Sequence, residues 1–202
     1  MGILDTLRSM LGTSAEADAS RRADPEDLFG MTTAYVTMEA ELGYAPTGDA
    51  ALLFNRVDSS QFREAVREVE AILEAGAEET GTEFEVREDT KGGEWVVLHD
   101  DDFEDLVTSL HFAADTLSER EFGSRLLTAA FAFEDDSGQR AYWLYSFRRG
   151  AYYPFAPERG HERNSTAEVK LESVLDGELE LEAEKSYWYP LWPDREGGHP
   201  WE

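Results

Sequence analysis

Two stretches of this chain combine side chains that could do chemistry. The first is His99-Asp100-Asp101-Asp102, where an apolar run hands over to a helical pattern. Carboxylates beside an imidazole could hold a divalent cation, with His99, Asp100 and Asp102 as ligands and His111 joining from the following helix. The same residues have a plainer use, because acidic groups at a helix N-terminus cap its free amides and are stabilised by its dipole. Along that helix Glu104, Thr108, His111, Asp115 and Ser118 line the face opposite Leu106, Leu110 and Leu117. His111 and Asp115, four residues apart, either pair as a base and its orienter or belong to a solvated polar face. No Ser-His-Asp spacing, glycine-rich phosphate loop or HExxH occurs. Nucleophilic, nucleotide and zinc-hydrolase chemistries therefore lack a signature.

The second stretch is Arg148-Arg149 among Tyr145, Tyr152, Tyr153 and Phe155. The chain has 18 lysines and arginines against 44 acidic residues, so an adjacent basic pair stands out. Arginine among aromatics is the composition of interface hot spots, which makes these six residues a candidate partner-binding surface. The competing reading sets the arginines at a strand end beside Gly150, neutralising nearby carboxylates.

The elements that position these residues follow from periodicity. Between Arg125 and Pro157, Leu127, Ala129, Phe131 and Phe133 share one parity. After the turn signal Asp135 to Gln139, Tyr142, Leu144, Ser146 and Arg148 alternate with Trp143, Tyr145, Phe147 and Arg149, which predicts an aromatic hairpin. Large side chains on both parities predict a second strand covered on both faces, and Pro154 and Pro157 are expected to end regular pairing.

Ahead of the hairpin, Ala34, Val36, Met38, Ala40 and Leu42 alternate with polar residues and read as a strand. Tyr44 to Asp49 reads as a turn and Ala50 to Phe54 as a short strand. A helix follows, capped by Asp58 or Ser60, carrying Phe62, Ala65, Val66, Val69, Ile72 and Leu73, and ended by Gly76. Thr82 to Glu88, Glu94 to His99 and a helix capped by Asp102 repeat the strand-strand-helix order, a possible β-β-α duplication. Ser165-Thr166-Ala167-Glu168 carries a capping-box signature for a short helix closed near Gly177. The aromatic tail from Tyr187 to Trp201 is expected to lie across the sheet as an extended strap, with an exposed recognition tail as the alternative. The expected fold is α+β: a largely antiparallel sheet, helices on one side, the aromatic hairpin and the C-terminal strap.

Ile3, Leu4, Leu7, Met10 and Leu11 form the stripe of a short amphipathic helix stopped by Gly12. It could dock on its own domain, on a partner or on a membrane surface. Thr13 to Asp24 has the composition of a linker, so residues 1–24 are read as helix plus linker and 25–202 as one α+β domain.

A 202-residue chain that is 41% hydrophobic can build a real core. Its net charge of −26 is extreme. That charge suits concentrated salt, where self-repulsion is screened and an acidic surface stays solvated. It disfavours nucleic-acid binding, since no basic patch is available to neutralise phosphates. The absence of cysteine excludes disulfides and thiolate sites. With no apolar run of about 18 residues and no basic-then-apolar leader, a cytoplasmic protein is expected.

Five stretches together resemble a known family: Met1-Gly2-Ile3-Leu4-Asp5-Thr6-Leu7, Asp27-Leu28-Phe29-Gly30-Met31, Trp95 through Val107, Tyr145 through Pro157, and Trp188-Tyr189-Pro190-Leu191-Trp192-Pro193. The chain resembles PspAB, the phage-shock-protein-A-associated family, in its haloarchaeal form, over essentially its whole length. The resemblance implies a non-enzymatic cytoplasmic accessory or adaptor in a PspA-type envelope-stress response, peripheral to the inner face of the membrane. It implies as partners a PspA-like membrane-remodelling protein or an HtpX-like membrane protease. It carries no active-site residues, and no cofactor is expected.

Overall fold

The computed structural model describes residues 21–89, 92–192 and 199–201. The amphipathic stripe of Ile3, Leu4, Leu7 and Leu11, most of the linker, and the turn residues Thr90 and Lys91 lie outside the described residues.

A 3-10 helix, Pro25–Gly30, leads into α1, Met31–Leu42. Then come β1 (Tyr44–Asn55), α2 (Ser60–Thr80), β2 (Glu83–Glu88), β3 (Gly93–His99) and α3 (Phe103–Glu119). β4 (Leu126–Asp135), β5 (Arg140–Ser146) and β6 (Ala151–Phe155) follow, then a two-stranded ribbon of β7 (Pro157–Glu158) and β8 (Glu162–Arg163), and α4 (Ser165–Leu175). The main sheet has the order β2-β3-β1-β4-β5-β6, with every adjacent pair antiparallel. The fold is α+β.

The hairpin is formed as expected, with Phe131 opposite Trp143 and Ala129 opposite Tyr145. β5 is indeed covered on both faces. Trp143 and Tyr145 join the core beneath all four helices, whereas Tyr142 and Leu144 join a second cluster with Trp188, Leu191 and Trp192. The tail is thus a strap over the helix-free face. Ala51, Ala130 and Ala132 line that face, and such small side chains leave room for the tryptophans of the strap to pack against the sheet.

Several local expectations are overturned. The segment from Ala34 to Leu42 is helix, because its burial repeats every three to four residues through Met31, Ala34 and Met38 while Val36 is exposed. Positions four apart satisfy both a period of 2 and one of 3.6, so alternation alone misassigned it. The first half of the proposed duplication disappears with that strand. Tyr44 to Asp49 is the opening of β1 rather than a turn, although its ladder breaks between Pro46 and Ala50. At that break the Gly48 carbonyl accepts from Asp100 N–H at 2.9 Å. A side chain on Gly48 would meet Asp100 O at 2.8 Å in a left-handed conformation, so only glycine fits.

Ser59 rather than Asp58 or Ser60 caps α2, and the helix runs through Gly76 to a left-handed Gly81. Asn164 caps α4 one residue earlier than the sequence signature, and the buried Glu168 instead accepts from Ala156 N–H and Arg163. Pro154 does not end pairing. It lies opposite Trp143 in β6, on the edge of the sheet. Tyr152, two residues earlier, turns its N–H and C=O outward to Glu180 O and Glu182 N–H, each at 2.8 Å, so the N–H that proline lacks also falls on the outer edge.

Candidate functional site

The first sequence candidate is dispersed into separate structural tasks. Asp102 is the N-cap of α3 and accepts from Glu104 and Asp105 N–H, as expected. Asp100 is buried and accepts from the Thr82 hydroxyl and from Asp102 N–H. His99 turns to Asp49, with Nδ1 3.0 Å from Oδ1, and this hydrogen bond raises its pKa. His111 does not join them. It is buried on the side of α3 that faces the 3-10 helix, 4.6 Å from the Phe29 ring, with Nε2 3.3 Å from Glu26 Oε1. The wet face expected for His111 is packed because the 3-10 helix covers it. Among the described residues no group of three or more histidines and carboxylates is placed to hold a metal ion.

The second candidate is also reorganised. β5 ends at Ser146, and Phe147 to Gly150 form a tight turn closed by Gly150 N–H to Ser146 O at 2.8 Å. Arg149 points into the protein and pairs with the buried Glu182, Nε to Oε2 at 2.5 Å and Nη2 to Oε1 at 3.1 Å, while its guanidinium lies 4.0 Å from the centroid of the Tyr187 ring. Glu182 Oε1 also accepts from Glu184 N–H, and the Glu182 carbonyl accepts from Trp188 Nε1. Arg163 repeats the device, binding Glu168 and donating to the Trp188 carbonyl at 2.7 Å. Two arginine-carboxylate pairs therefore fasten the strap. Each carboxylate keeps several donors, the condition under which a buried pair is tolerated.

Tyr145, Tyr152, Tyr153 and Phe155 are buried as well. The Tyr145 hydroxyl donates to Asp27 Oδ2, and Tyr152 OH lies 3.2 Å from the Asp27 carbonyl. Burial and the neighbouring carboxylate push the Tyr145 pKa far above the usual phenol range, so it is a neutral donor. Of the six residues expected to form a contact surface, five are buried together, because strap, edge strand and 3-10 helix converge on them. Arg148 is the exception.

Arg148 and Phe147 open onto a cleft of about 740 Å³. One wall is the segment from Arg22 to Pro25. The opposite wall is the end of α3 and the turn after it, with Asp115, Ser118, Glu119 and Glu121, and Leu126 completes the lining. The N-terminal segment is held in place here. Arg21 pairs with Asp27 at 2.7 Å, and a side chain on Gly150, which has φ +64°, would strike Arg21 and Ala23. Glu121 adopts a left-handed conformation, φ +67°, as α3 ends with Phe122 N–H bonded to Leu117 O. α1 and α2 both end in glycine at the equivalent position. The cleft had no sequence signal beyond Arg148 and Asp115, because its walls come from segments more than 90 residues apart.

Three of the stretches that carry the sequence resemblance, those around Asp27, Tyr145 to Pro157 and Trp188, meet in space. The Asp27 segment receives the hydroxyls of Tyr145 and Tyr152, and Tyr153 stacks on Trp188 of the strap with centroids 6.2 Å apart. Among the described residues no helix is long and apolar enough to cross a membrane. No curated protein and no solved structure matches the chain. The family model described as PspA associated protein B matches residues 1–201. That match over residues 1–201 places the chain in the PspAB family, the PspA-associated proteins B.

Proposed function

We propose that this protein is a non-enzymatic adaptor in a PspA-type membrane-stress response, acting by protein–protein contact in a salt-rich cytoplasm and reaching the membrane only through its partner. The observation that carries this reading is the family match along residues 1–201, whose description is association with PspA. The cleft beside Arg148 is the contact site the geometry favours. It is concave, mixes apolar floor with both signs of charge, and is lined by Arg148 of the sequence candidate. An arginine at the edge of an apolar floor is a usual anchor of a protein interface.

The test is a titration of the full chain with the PspA-type protein of the same cell, at working salt, by calorimetry or co-sedimentation. Saturable binding is expected, weakened tenfold or more by Arg148→Glu under conditions where denaturation shows the variant still folded. No binding, or identical binding by the variant, would overturn the assignment of the cleft. An HtpX-like membrane protease in detergent is the second partner for the same titration, and binding there with none to the PspA-type protein would move the adaptor to the protease.

A further inference from the structure

The described chain begins at Arg21, one residue before the cleft wall of Arg22 to Pro25, and the twenty residues before it contain an apolar stripe. We propose that this stripe, Ile3, Leu4, Leu7 and Leu11, packs into the Arg148 cleft of its own chain and so occupies the surface used by a partner. The inference rests on the reading of the cleft given above and adds its regulation.

Reach, surface and charge support it. Gly12 to Ser20 supplies nine residues between the stripe and Arg21. Fully extended they span about 30 Å, and a flexible segment of that length averages roughly half as much. An eleven-residue helix is about 16 Å long, so its apolar face can fold back over a cleft whose wall the same chain continues into. Helices this short are marginal in water and need a surface on which to pack.

The cleft offers Leu126 and Phe147 as apolar floor. Outside that lining, Phe112 stands one helical turn before Asp115 on α3 and is 48% exposed, an apolar side chain available next to the cleft wall. Arg8 flanks the stripe, four residues after Leu4 and three before Leu11. Asp115, Glu119 and Glu121 form the wall it would meet, in a chain where positive charge is scarce. Tethering places the stripe at an effective concentration in the millimolar range, so a weak contact suffices to keep the cleft occupied.

The absence of cysteine makes a single-label experiment direct. A nitroxide is attached at Ser124→Cys, in the cleft, and the methyl resonance of Met10, which lies on the stripe, is followed by NMR in the full chain. Met31 and Met38, on the buried face of α1, serve as internal references. Strong broadening of Met10 is expected, and it should be lost in Leu4→Asp/Leu7→Asp, with unchanged Met31 and Met38 signals showing that the variant is folded. A second label at Arg120→Cys, exposed beside the rim, gives the same readout if the first obstructs the cleft. A sharp Met10 signal with both labels, or broadening that the double substitution leaves intact, would overturn the proposal, the latter because it reports tether proximity alone. No partner is needed for this readout, so its failure and the failure of the adaptor reading are separable. If both hold, Leu4→Asp/Leu7→Asp binds the partner severalfold more tightly than the unmodified chain.

Discussion

The Tyr145 hydroxyl lies 2.5 Å from Asp27 Oδ2, bridging 118 residues of sequence between the aromatic hairpin and the 3-10 helix. Asp27 Oδ1 binds Arg21 from the other side, so one carboxylate ties the entering chain to the end of the sheet. Tyr152 OH reaches the Asp27 and Leu28 carbonyls beside it. This junction fixes the wall of the cleft formed by Arg22 to Pro25.

Tyr145→Phe removes a buried donor to a charged acceptor while keeping the ring. The expected loss is about 1.5–3 kcal/mol in urea unfolding. Asp27→Asn should cost less, since its amide oxygen still accepts from the phenol. A larger loss for Asp27→Asn than for Tyr145→Phe would show that Arg21 rather than Tyr145 is the main partner.

The two adjacent arginines should separate cleanly. Arg149→Ala strands the buried Glu182 carboxylate, and breaking a buried pair costs about 3–5 kcal/mol. Arg148→Ala, half-buried at the cleft, should cost clearly less than Arg149→Ala. Chemical denaturation of both variants checks the assignment. Equal losses would mean that Arg148 too is structural.

Glu121 is the non-glycine residue that ends α3 in a left-handed conformation. Glu121→Gly removes that strain at the cost of a more flexible unfolded chain, for a net gain of roughly 0.5–1 kcal/mol. If the carboxylate is kept for the cleft, the stabilised variant should also weaken the broadening of Met10 described above. A variant that is less stable than the parent would refute the strain argument.

His199 is buried between Tyr142 and Trp201, and burial, with Arg140 nearby, lowers its pKa to about 4. A lowered histidine pKa favours the folded form above the ordinary value near 6.5 and loses that contribution as pH falls toward 4. The end of the strap should therefore loosen in that window, read as a shift of tryptophan emission to longer wavelength. Subtracting the same titration of His199→Asn removes the contribution of the many carboxylates. An unchanged difference curve between pH 6.5 and 4 would show that His199 is not protonated on release.

Local pattern was enough where one period dominates and the partner is close in sequence. The hairpin around Asp135 to Gln139, the Asp102 cap of α3, the stripes of α2 and α3 and the two-faced burial of β5 all follow from spacing alone, because turn chemistry and amphipathicity act over a few residues. The strap, too, was legible, since so many aromatic rings cannot remain in water.

Tertiary structure decided what spacing left ambiguous. Ala34 to Leu42 satisfies both periodicities and became helix once Met31, Ala34 and Met38 found the core together. His111 and Tyr145 were drawn inside because a 3-10 helix far away in sequence covers them. Arg149 could be read as a surface anchor until Glu182, 33 residues later, came to meet it. A buried charge declares itself only when its counter-charge arrives, and a cleft only when its walls close, so the fold class was written in the chain while the site was written in its contacts.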